Sequence, residues 1–321
     1  MPQPGPGQVR LRLAYVGICG SDLHGYTGES GRRAPGMVMG HEASGWVEAL
    51  GESVTGLQVG EAVTFNPSVP CDGRCGHAEE NWCSELRVIG VSTDIQGAFA
   101  DAVVVDAGRV VPLGGLDLVS GAMAEPMAVA VQAVRRSRVG EGAHVLVVGG
   151  GMIGQCIARA ARLAGAEEVV VSEAMAERRR LAAESGFDVV EPAEVAKLPP
   201  MDVAIDAVGL SPTAAAAITA VRKGGIVGFV GLGLPEVSLP LFEVVVPEIT
   251  IVGSFCYPDE VFKTTVKSMA NGDIDISGLL GQIEPLDRAD EAFESLASGF
   301  RKDVKILVGT GASRPGAGDD G

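Results

Sequence analysis

The sequence predicts a two-domain α/β protein in which a β-rich segment precedes a doubly wound parallel sheet. Two patterns of apolar residues, one in the first third of the chain and one in the rest, support this prediction. The first third contains short strand-like runs separated by glycine and proline, whereas from about residue 121 apolar strand candidates alternate with segments of helical length. Such alternation is typical of parallel βαβ units. The length of 321 residues also favours two domains, because single cores rarely grow beyond about 250 residues.

The strands of the first third are predicted from alternation. Val9, Leu11 and Leu13 alternate with Arg10 and Arg12, which gives the period of two expected of a strand with one buried face. Similar short runs follow at residues 45–50, 61–65 and 99–105. These segments predict a domain of mostly β structure with tight turns between its strands.

The rest of the chain predicts the parallel sheet and then a return to the first domain. Near-continuous apolar runs, as expected of strands covered on both faces, lie at residues 144–148, 168–171, 202–207, 226–230 and 250–255. Helical patterns follow at 259–271 and 286–298, and a last strand candidate lies at 304–308. We therefore expect domain segments at 1–124, 125–254 and 255–310, with a flexible tail at 311–321.

Composition disfavours two classes of partner. With 25 Lys and Arg against 41 Asp and Glu, the formal net charge is −16 at pH 7. Nucleic acid and anionic membranes would repel such a chain, so we predict neither as a partner. There is no leader-like start and no uncharged stretch of the roughly 20 residues that cross a bilayer, which predicts a cytoplasmic protein. In that compartment the six cysteines are expected to be thiols or metal ligands.

A glycine-rich turn predicts a dinucleotide site. Gly149, Gly151 and Gly154 follow the strand candidate at 144–148, and a helical pattern begins within the turn. The first glycine permits the tight bend, the second lets backbone approach a pyrophosphate, and the third lets the helix pack on the sheet. The helix N-terminus then offers N–H groups to the phosphates. The other residues of the turn and of later strand ends that we assign to this cofactor site are Met152, Ile153, Val208 and Gly231.

Glu173 predicts which dinucleotide binds. It closes the next strand 19 residues after Gly154, where an acid accepts hydrogen bonds from the adenosine ribose hydroxyls. Its charge would repel a 2′-phosphate, so NAD is favoured over NADP. Two plainer interpretations stay open, namely a glycine turn without a ligand and an ordinary surface acid at a strand end.

Cys19, His41 and Glu42 form a candidate metal site. Cys19 follows the first predicted strand, and His41 lies 22 residues further along the chain. A thiolate, an imidazole and a carboxylate brought together by loops suit a four-coordinate Zn²⁺ that keeps one position for water or substrate.

Four motifs in order resemble those of the zinc-dependent medium-chain dehydrogenase/reductase family. They are GICGSDLH at 17–24, GHE at 40–42, EPMAVA at 125–130 and the glycine turn at 149–154, and the resemblance covers residues 4–308. It implies a GroES-like catalytic domain with a Rossmann domain, and NAD-dependent oxidation of a small-molecule alcohol to a ketone. It also implies a homodimer or homotetramer joined through the strand at 250–255.

The segment that begins with Glu125 resembles the butanediol and sorbitol dehydrogenase branch of that family. There a glutamate replaces the cysteine-type third ligand of ordinary alcohol dehydrogenases. The resemblance implies that Cys19, His41 and Glu42 are direct zinc ligands and that Glu125 is a second glutamate, which binds zinc directly or through water. It implies that Ser21 and His24 form a proton relay. It also implies that Glu173 is the acid that binds the adenosine ribose and that Arg178 is a basic residue beside that ribose.

Plainer roles remain open for some of these residues. His24 also fits an ordinary loop histidine. Glu125 also fits an acid at the start of a helix, where the helix dipole favours it. Asp22 fits a residue that orients a loop or a zinc ligand rather than a chemical participant.

The sequence departs from the family in a lobe that usually holds a second, structural zinc on four cysteines. Only Cys71, Cys75 and Cys83 remain here as candidate ligands. His77 is one residue removed from Cys75, a poor spacing for a shared tetrahedral ion. Because a structural zinc needs four closed ligands, the sequence disfavours this second metal.

Two further departures concern the start and the substrate. Residues 1–7 resemble an internal linker of family members, so either the chain starts upstream or an edge hairpin is missing and leaves backbone unpaired. Sorbitol-type members have a substrate-facing arginine near 254–257, where this chain has Cys256 and Tyr257. This difference favours a small diol or a secondary alcohol over a sugar alcohol.

These observations predict a zinc-dependent oxidoreductase that transfers a hydride between a secondary alcohol or vicinal diol, such as 2,3-butanediol, and NAD. A threonine, other amino-alcohol or polyol dehydrogenase of the same fold is the second hypothesis. A non-catalytic NAD-binding protein is the third hypothesis. Six chemistry-bearing residues are retained in register, which argues against it: Cys19, Ser21, His24, His41, Glu42 and Glu125.

Overall fold

The computed structural model describes residues 2–28, 33–71, 73–298 and 304–315. The chain divides into two compact units. The first comprises Met1–Glu125, Tyr257–Gly272 and Leu280–Gly321, and the second comprises Pro126–Cys256 with the short segment Asp273–Leu279. Of the predicted tail, residues 316–321 lie outside the described residues, whereas Arg314 donates a hydrogen bond from Nε to the Gly60 carbonyl oxygen at 2.8 Å.

The secondary structure follows the predicted order of strands and helices. The strands are β1 Gln8–Gly17, β2 Glu42–Leu50, β3 Ala62–Phe65, β4 Ser68–Val69, β5 Arg87–Val88, β6 Ala102–Asp106, β7 Val110–Pro112, β8 His144–Val148, β9 Glu168–Ser172, β10 Asp188–Val190, β11 Met201–Asp206, β12 Val221–Phe229, β13 Thr250–Gly253, β14 Ile283–Pro285 and β15 Leu307–Gly309. The helices are α1 Gly20–Tyr26, α2 Leu118–Gly121, α3 Ala124–Arg136, α4 Met152–Leu163, α5 Ala176–Glu184, α6 Ser211–Ala220, α7 Leu241–Val245, α8 Asp259–Ala270 and α9 Ala289–Ala297. In the described part of the chain, no helix combines the length and apolar character needed to span a membrane.

The first unit is built on a sheet with the strand order β14-β15-β1-β2-β3-β7, and β6 also pairs with β1. Val9, Leu11 and Leu13 are buried on β1, as the period of two predicts. They belong to a cluster of buried apolar side chains that also includes Val16 of the same strand and, from other strands of the sheet, Val47, Val63, Phe65, Val103 and Val105. The strand β1 is central, because it pairs with β2 and β6 and with β15 from the end of the chain.

The second unit is a parallel sheet with the strand order β10-β9-β8-β11-β12-β13. The order runs in one direction from β8 to β10 and in the other from β11 to β13. This arrangement is the doubly wound topology, in which ligands bind at the carboxyl ends of the strands where the order reverses. The predicted fold class, a Rossmann sheet together with a GroES-like, mostly β unit, is confirmed.

Candidate functional site

The end of strand β1 and the short helix α1 present three of the predicted residues. Cys19 follows β1 and precedes α1, and its backbone N–H donates to the Asp22 carboxylate at 3.2 Å. On α1, Ser21 is exposed and His24 is half-buried. Residues three apart are neighbours on a helix surface, so the helix places the Ser21 hydroxyl and the His24 ring on one side.

The start of strand β2 presents the other two predicted ligands. His41 precedes β2 and Glu42 begins it, and both side chains are buried. The preceding Gly40 has a φ of +96°, a conformation that favours glycine. One ligand atom each from Cys19, His41 and Glu42 lie within 4.8 Å of one another. The structure therefore brings together one thiol, one imidazole and one carboxylate.

Asp22 lies beside the Nδ1 edge of the His41 ring. The Asp22 carboxylate lies 3.5 Å from His41 Nδ1, and Arg33 lies 3.5 Å from the same carboxylate oxygen. Although burial opposes its ionisation, the charges of His41 and Arg33 hold the pKa of Asp22 below its ordinary value. Burial likewise opposes protonation of His41, but Asp22 raises the pKa of His41 well above its usual range. With Nδ1 turned to Asp22, Nε2 is the ring nitrogen left for a metal.

Glu125 lies near this group but is held by a different residue. Its carboxylate, 9% exposed, accepts a hydrogen bond from the Tyr257 hydroxyl at 3.1 Å. Burial raises the pKa of Glu125 to about 7; the negative charge of Glu42 acts in the same direction, and the charge of His41 opposes it. The compact set of donor atoms found among the described residues contains Cys19, His41 and Glu42 without Glu125.

Lys305 is a member of the site that sequence reasoning missed. It is 3% exposed, and its Nζ donates to the Glu42 carboxylate and, at 3.0 Å, to the Ile18 carbonyl oxygen. Burial alone would lower the pKa of Lys305, but the charge of Glu42 raises it. A signal existed in the sequence, because Lys305 is the single charged residue within the apolar run at 304–308.

The chemistry of this group fits zinc. Sulfur, nitrogen and oxygen donors from separate segments are a typical catalytic zinc set, in which a fourth position stays open. Cys19, His41 and Glu42 are therefore the residues of this chain that would hold a zinc ion.

A second group of donors lies in the lobe formed around strands β4 and β5. Cys71, Cys75, His77 and Cys83 each offer one ligand atom within 4.8 Å of the others. Cys75 Sγ lies 3.5 Å from Cys71 Sγ, 3.6 Å from Cys83 Sγ and 3.0 Å from His77 Nδ1. The hydrogen bond with His77, followed by one from the Ser84 backbone, lowers the pKa of Cys75 to about 5.

The expectation that His77 is badly spaced for sharing an ion is wrong. Gly76, between Cys75 and His77, has a φ of +66°, which is the left-handed region that glycine enters without strain. This turn puts the Cys75 thiol and the His77 ring on the same side. Sequence spacing did not show this, because a spacing rule assumes a regular backbone.

The glycine turn has the geometry expected of a dinucleotide site. Gly149 follows β8 with a φ of +98°, and a Cβ at Gly154 would overlap the Gly149 carbonyl oxygen. Gly151 caps helix α4, which begins at Met152 and continues through Ile153. Gly149, Val208 and Gly231 also lie close together, because a Cβ on either glycine would overlap Val208. The structure thus gathers the predicted residues at the carboxyl ends of β8, β11 and β12.

Glu173 and Arg178 lie beside this turn. The two Glu173 carboxylate oxygens accept hydrogen bonds from the backbone N–H groups of Gly150 and Met175, both at 2.8 Å. Arg178 NH1 lies 3.6 Å from the point where a Cβ on Gly151 would be. Arg178 Nε is buried and has no hydrogen-bond partner in the described part of the chain. An acid and an unsatisfied base therefore flank the predicted ribose position.

Comparison with known proteins identifies the family. Residues 5–115 match the alcohol dehydrogenase GroES-like domain and residues 152–271 match the zinc-binding dehydrogenase domain. The chain is 33% identical over 331 residues to L-idonate 5-dehydrogenase of Vitis vinifera, with 96% of this chain and 89% of that protein covered. It belongs to the zinc-dependent medium-chain dehydrogenase family and is an alcohol oxidoreductase.

Two solved structures share the whole fold. A zinc-binding dehydrogenase from Sinorhizobium meliloti, bound to NADP, has a TM-score of 0.88 and 32% identity, with 96% of this chain and 93% of that chain covered. The 2R,3R-butanediol dehydrogenase from Bacillus subtilis has a TM-score of 0.85 and 29% identity, with 96% and 94% covered. The family resemblance drawn from the four motifs is confirmed.

Proposed function

We propose that this protein is a zinc- and NAD-dependent dehydrogenase that interconverts a secondary alcohol or vicinal diol, of the 2,3-butanediol type, and the corresponding ketone. The observation on which the proposal depends is the grouping of Cys19, His41 and Glu42 within 4.8 Å. Ser21 and His24 on the adjoining helix α1 supply a proton path, and the glycine turn supplies a dinucleotide site.

The chain's own residues divide the work of the reaction. Cys19, His41 and Glu42 would hold the metal, and with Asp22 beside His41 Nδ1 the ring nitrogen available to the metal is Nε2. Zinc at this site supplies a Lewis acid that lowers the pKa of an alcohol oxygen toward neutrality. The Ser21 hydroxyl accepts the alcohol proton while it passes its own toward the half-buried His24 ring, which exchanges protons with water. The glycine turn would hold the pyrophosphate of NAD, whose nicotinamide supplies the hydride acceptor when the cofactor is bound.

NAD is proposed over NADP because Glu173 lies beside the glycine turn, at the position that we assign to the adenosine ribose. Its negative charge disfavours a 2′-phosphate at that position. The Sinorhizobium meliloti relative bound to NADP makes this choice a property to be measured. Arg178, whose Nε lacks a partner among the described residues, is the group through which a 2′-phosphate would be accepted.

The substrate class rests on Cys256 and Tyr257. Tyr257 is buried and donates its hydroxyl hydrogen bond to Glu125, so its polar atom is already engaged. Neither residue provides the positive charge that an arginine offers to a polyol. The 2R,3R-butanediol dehydrogenase among the similar structures agrees with a small diol.

A turnover screen tests the proposal. Purified zinc-loaded protein is supplied with NAD and, in turn, 2,3-butanediol, sorbitol, L-idonate, threonine and ethanol, and NADH formation is followed by absorbance. We expect the highest kcat/KM with the vicinal diol. Protein that contains zinc and binds NAD yet oxidises none of these alcohols would favour the non-catalytic alternative.

A sugar-acid or polyol substrate is the second candidate. It is favoured by the 33% identity of this chain to the L-idonate 5-dehydrogenase of Vitis vinifera. In the same screen, a higher kcat/KM for L-idonate or sorbitol than for 2,3-butanediol would select it.

A structural zinc in the lobe is part of the proposal. Cys71, Cys75, His77 and Cys83 supply the four closed ligands that such a site needs. The low pKa of Cys75, about 5, keeps its thiol in the thiolate form that binds metal. We therefore propose a three-cysteine, one-histidine site in which His77 is the fourth ligand.

Replacing His77 with alanine should remove one of two zinc ions per chain. The three remaining thiols leave the tetrahedral shell incomplete, so we expect the lobe to loosen and the melting temperature to fall by roughly 5–10 °C. Metal analysis and thermal unfolding measure the two effects. Glu85→Gln, an exposed change in the same lobe, is the control and should alter neither. A zinc content of two in the His77→Ala protein would contradict the assignment.

A homodimer or homotetramer is proposed through the β13 edge of the second unit. In the described structure β13 pairs with β12 alone, and exposed apolar side chains cluster in the segments that lead to it. They include Leu232, Leu241, Phe242, Val245 and Ile251. An apolar edge strand of this kind favours pairing with a second chain.

A further inference from the structure

Three neighbouring strands bring Lys305 and Glu42 together. Strand β1 pairs with β2 on one side and with β15 on the other, and Gly17 is the β1 residue opposite both Glu42 and Leu307. Lys305 lies two residues before β15. Its side chain and that of Glu42 therefore reach toward each other across the central strand.

Gly17 is what allows the two side chains to meet. A Cβ at Gly17 would overlap the Glu42 Oε2 atom and the Lys305 Cε atom. Because glycine has no Cβ, no side chain of β1 occupies the place where the ion pair crosses this strand. The pair is therefore built into the packing of three strands and is not a surface contact.

The ion pair changes the charge that the donor set offers to a metal. The Cys19 thiolate and the Glu42 carboxylate together contribute two negative charges. Lys305, whose Nζ donates hydrogen bonds to a Glu42 oxygen and to the Ile18 carbonyl oxygen, offsets one of these two negative charges. A zinc ion bound by Cys19, His41 and Glu42 would then keep a net positive charge, which is the condition for strong Lewis acidity.

We propose that Lys305 is a positioning residue that holds one oxygen of Glu42 and limits the negative charge this glutamate delivers to the metal. The inference rests on the proposed zinc site and goes beyond it in assigning a role to the last strand of the chain. Lys305 lowers the affinity of the site for zinc. It also strengthens the polarisation of the alcohol oxygen by the metal. Both effects follow from Coulomb interactions inside a buried site.

The test is the rate at which zinc leaves the protein in the presence of a chromogenic chelator. Lys305→Met frees the second oxygen of Glu42 and removes the positive charge, so zinc should leave at least about tenfold more slowly. A residue that served only the packing would give the opposite result, because its loss loosens the site. Because we propose two zinc sites, zinc release should show two kinetic phases. The phase that is missing in a Cys19→Ala protein is the one that belongs to the Cys19, His41 and Glu42 site.

Turnover gives a second reading on the same variant. We expect kcat/KM for the alcohol to fall although zinc is held more firmly, since the metal polarises the oxygen less. Lys305→Arg keeps the positive charge and should release zinc at close to the native rate. Zinc release from Lys305→Met that is unchanged or faster would overturn the proposal.

The Glu42→Gln background keeps the test valid if Lys305→Met does not fold. With the carboxylate neutral, Lys305 acts on the zinc only through its own positive charge, because there is no second carboxylate oxygen for its removal to free. Glu42→Gln/Lys305→Met should therefore release zinc more slowly than Glu42→Gln, but by less than the tenfold expected in the native background. A slowing of tenfold or more, or faster release from the double variant, would also overturn the proposal.

Failure of this inference is distinguishable from failure of the proposed function. A native chain with no zinc in the phase that depends on Cys19 would contradict the zinc centre itself. A chain that contains that zinc but releases it at a rate indifferent to Lys305 contradicts only the role of the lysine.

Discussion

His41→Ala should lose its catalytic zinc and with it nearly all activity. His41 is a buried member of a set of three donors that lie within 4.8 Å of one another, and alanine leaves a thiolate and a carboxylate that cannot complete the shell. Without the Lewis acid the pKa of the alcohol stays far above neutrality, so we expect kcat/KM to fall by about 10⁴-fold or more. Metal analysis and NADH formation measure the two losses.

Two controls separate loss of metal from loss of fold. His144→Ala removes a histidine of the second unit whose side chain is 40% exposed and forms ion pairs with the acids Glu167 and Glu168. It should leave zinc and turnover unchanged. His41→Ala itself should still bind NADH, because the glycine turn lies in the other unit. Normal turnover with zinc retained in His41→Ala would show that the ligand assignment is wrong.

The fold could be predicted because its signals are local. The strand β8 coincides with the predicted residues 144–148, and α8 with all but the last residue of the predicted 259–271. Apolar periodicity and glycine turns determine such elements within a few residues. The last strand was placed at 304–308 but lies at Leu307–Gly309, so its apolar run continues outside the sheet. Pairing with β1, which the sequence does not display, sets where it begins.

The site could be predicted only as far as its motifs extend. Cys19, His41 and Glu42 lie in two short motifs, and the structure brings them together. The partners of those residues come from distant segments. Lys305 is 263 positions from Glu42, and the Tyr257 hydroxyl is 132 positions from Glu125. Long-range contacts of this kind depend on strand order, and no spacing along the chain encodes them.

The choice of dinucleotide should shift when the charge of Glu173 is removed. Glu173→Gln eliminates the repulsion toward a 2′-phosphate while keeping the size of the side chain. Arg178, whose NH1 lies beside Gly151, is already in place to pair with that phosphate. We expect the ratio of kcat/KM for NADP to that for NAD to rise on the order of 100-fold.

The ratio is the right measurement because the substitution has a second effect. The two Glu173 oxygens accept from Gly150 and Met175, and an amide can satisfy only one of these N–H groups, so affinity for both dinucleotides should fall. That loss is common to NAD and NADP and cancels in the ratio.

Fluorescence titration with NADH and NADPH gives the same comparison without an alcohol substrate. Glu184→Gln, an exposed change on α5, should leave the ratio unaltered. In Glu173→Gln/Arg178→Met the gain for NADP should largely disappear, because the phosphate then has no cation. A ratio that stays constant in Glu173→Gln would remove Glu173 from the ribose site, and with it the charge argument for NAD.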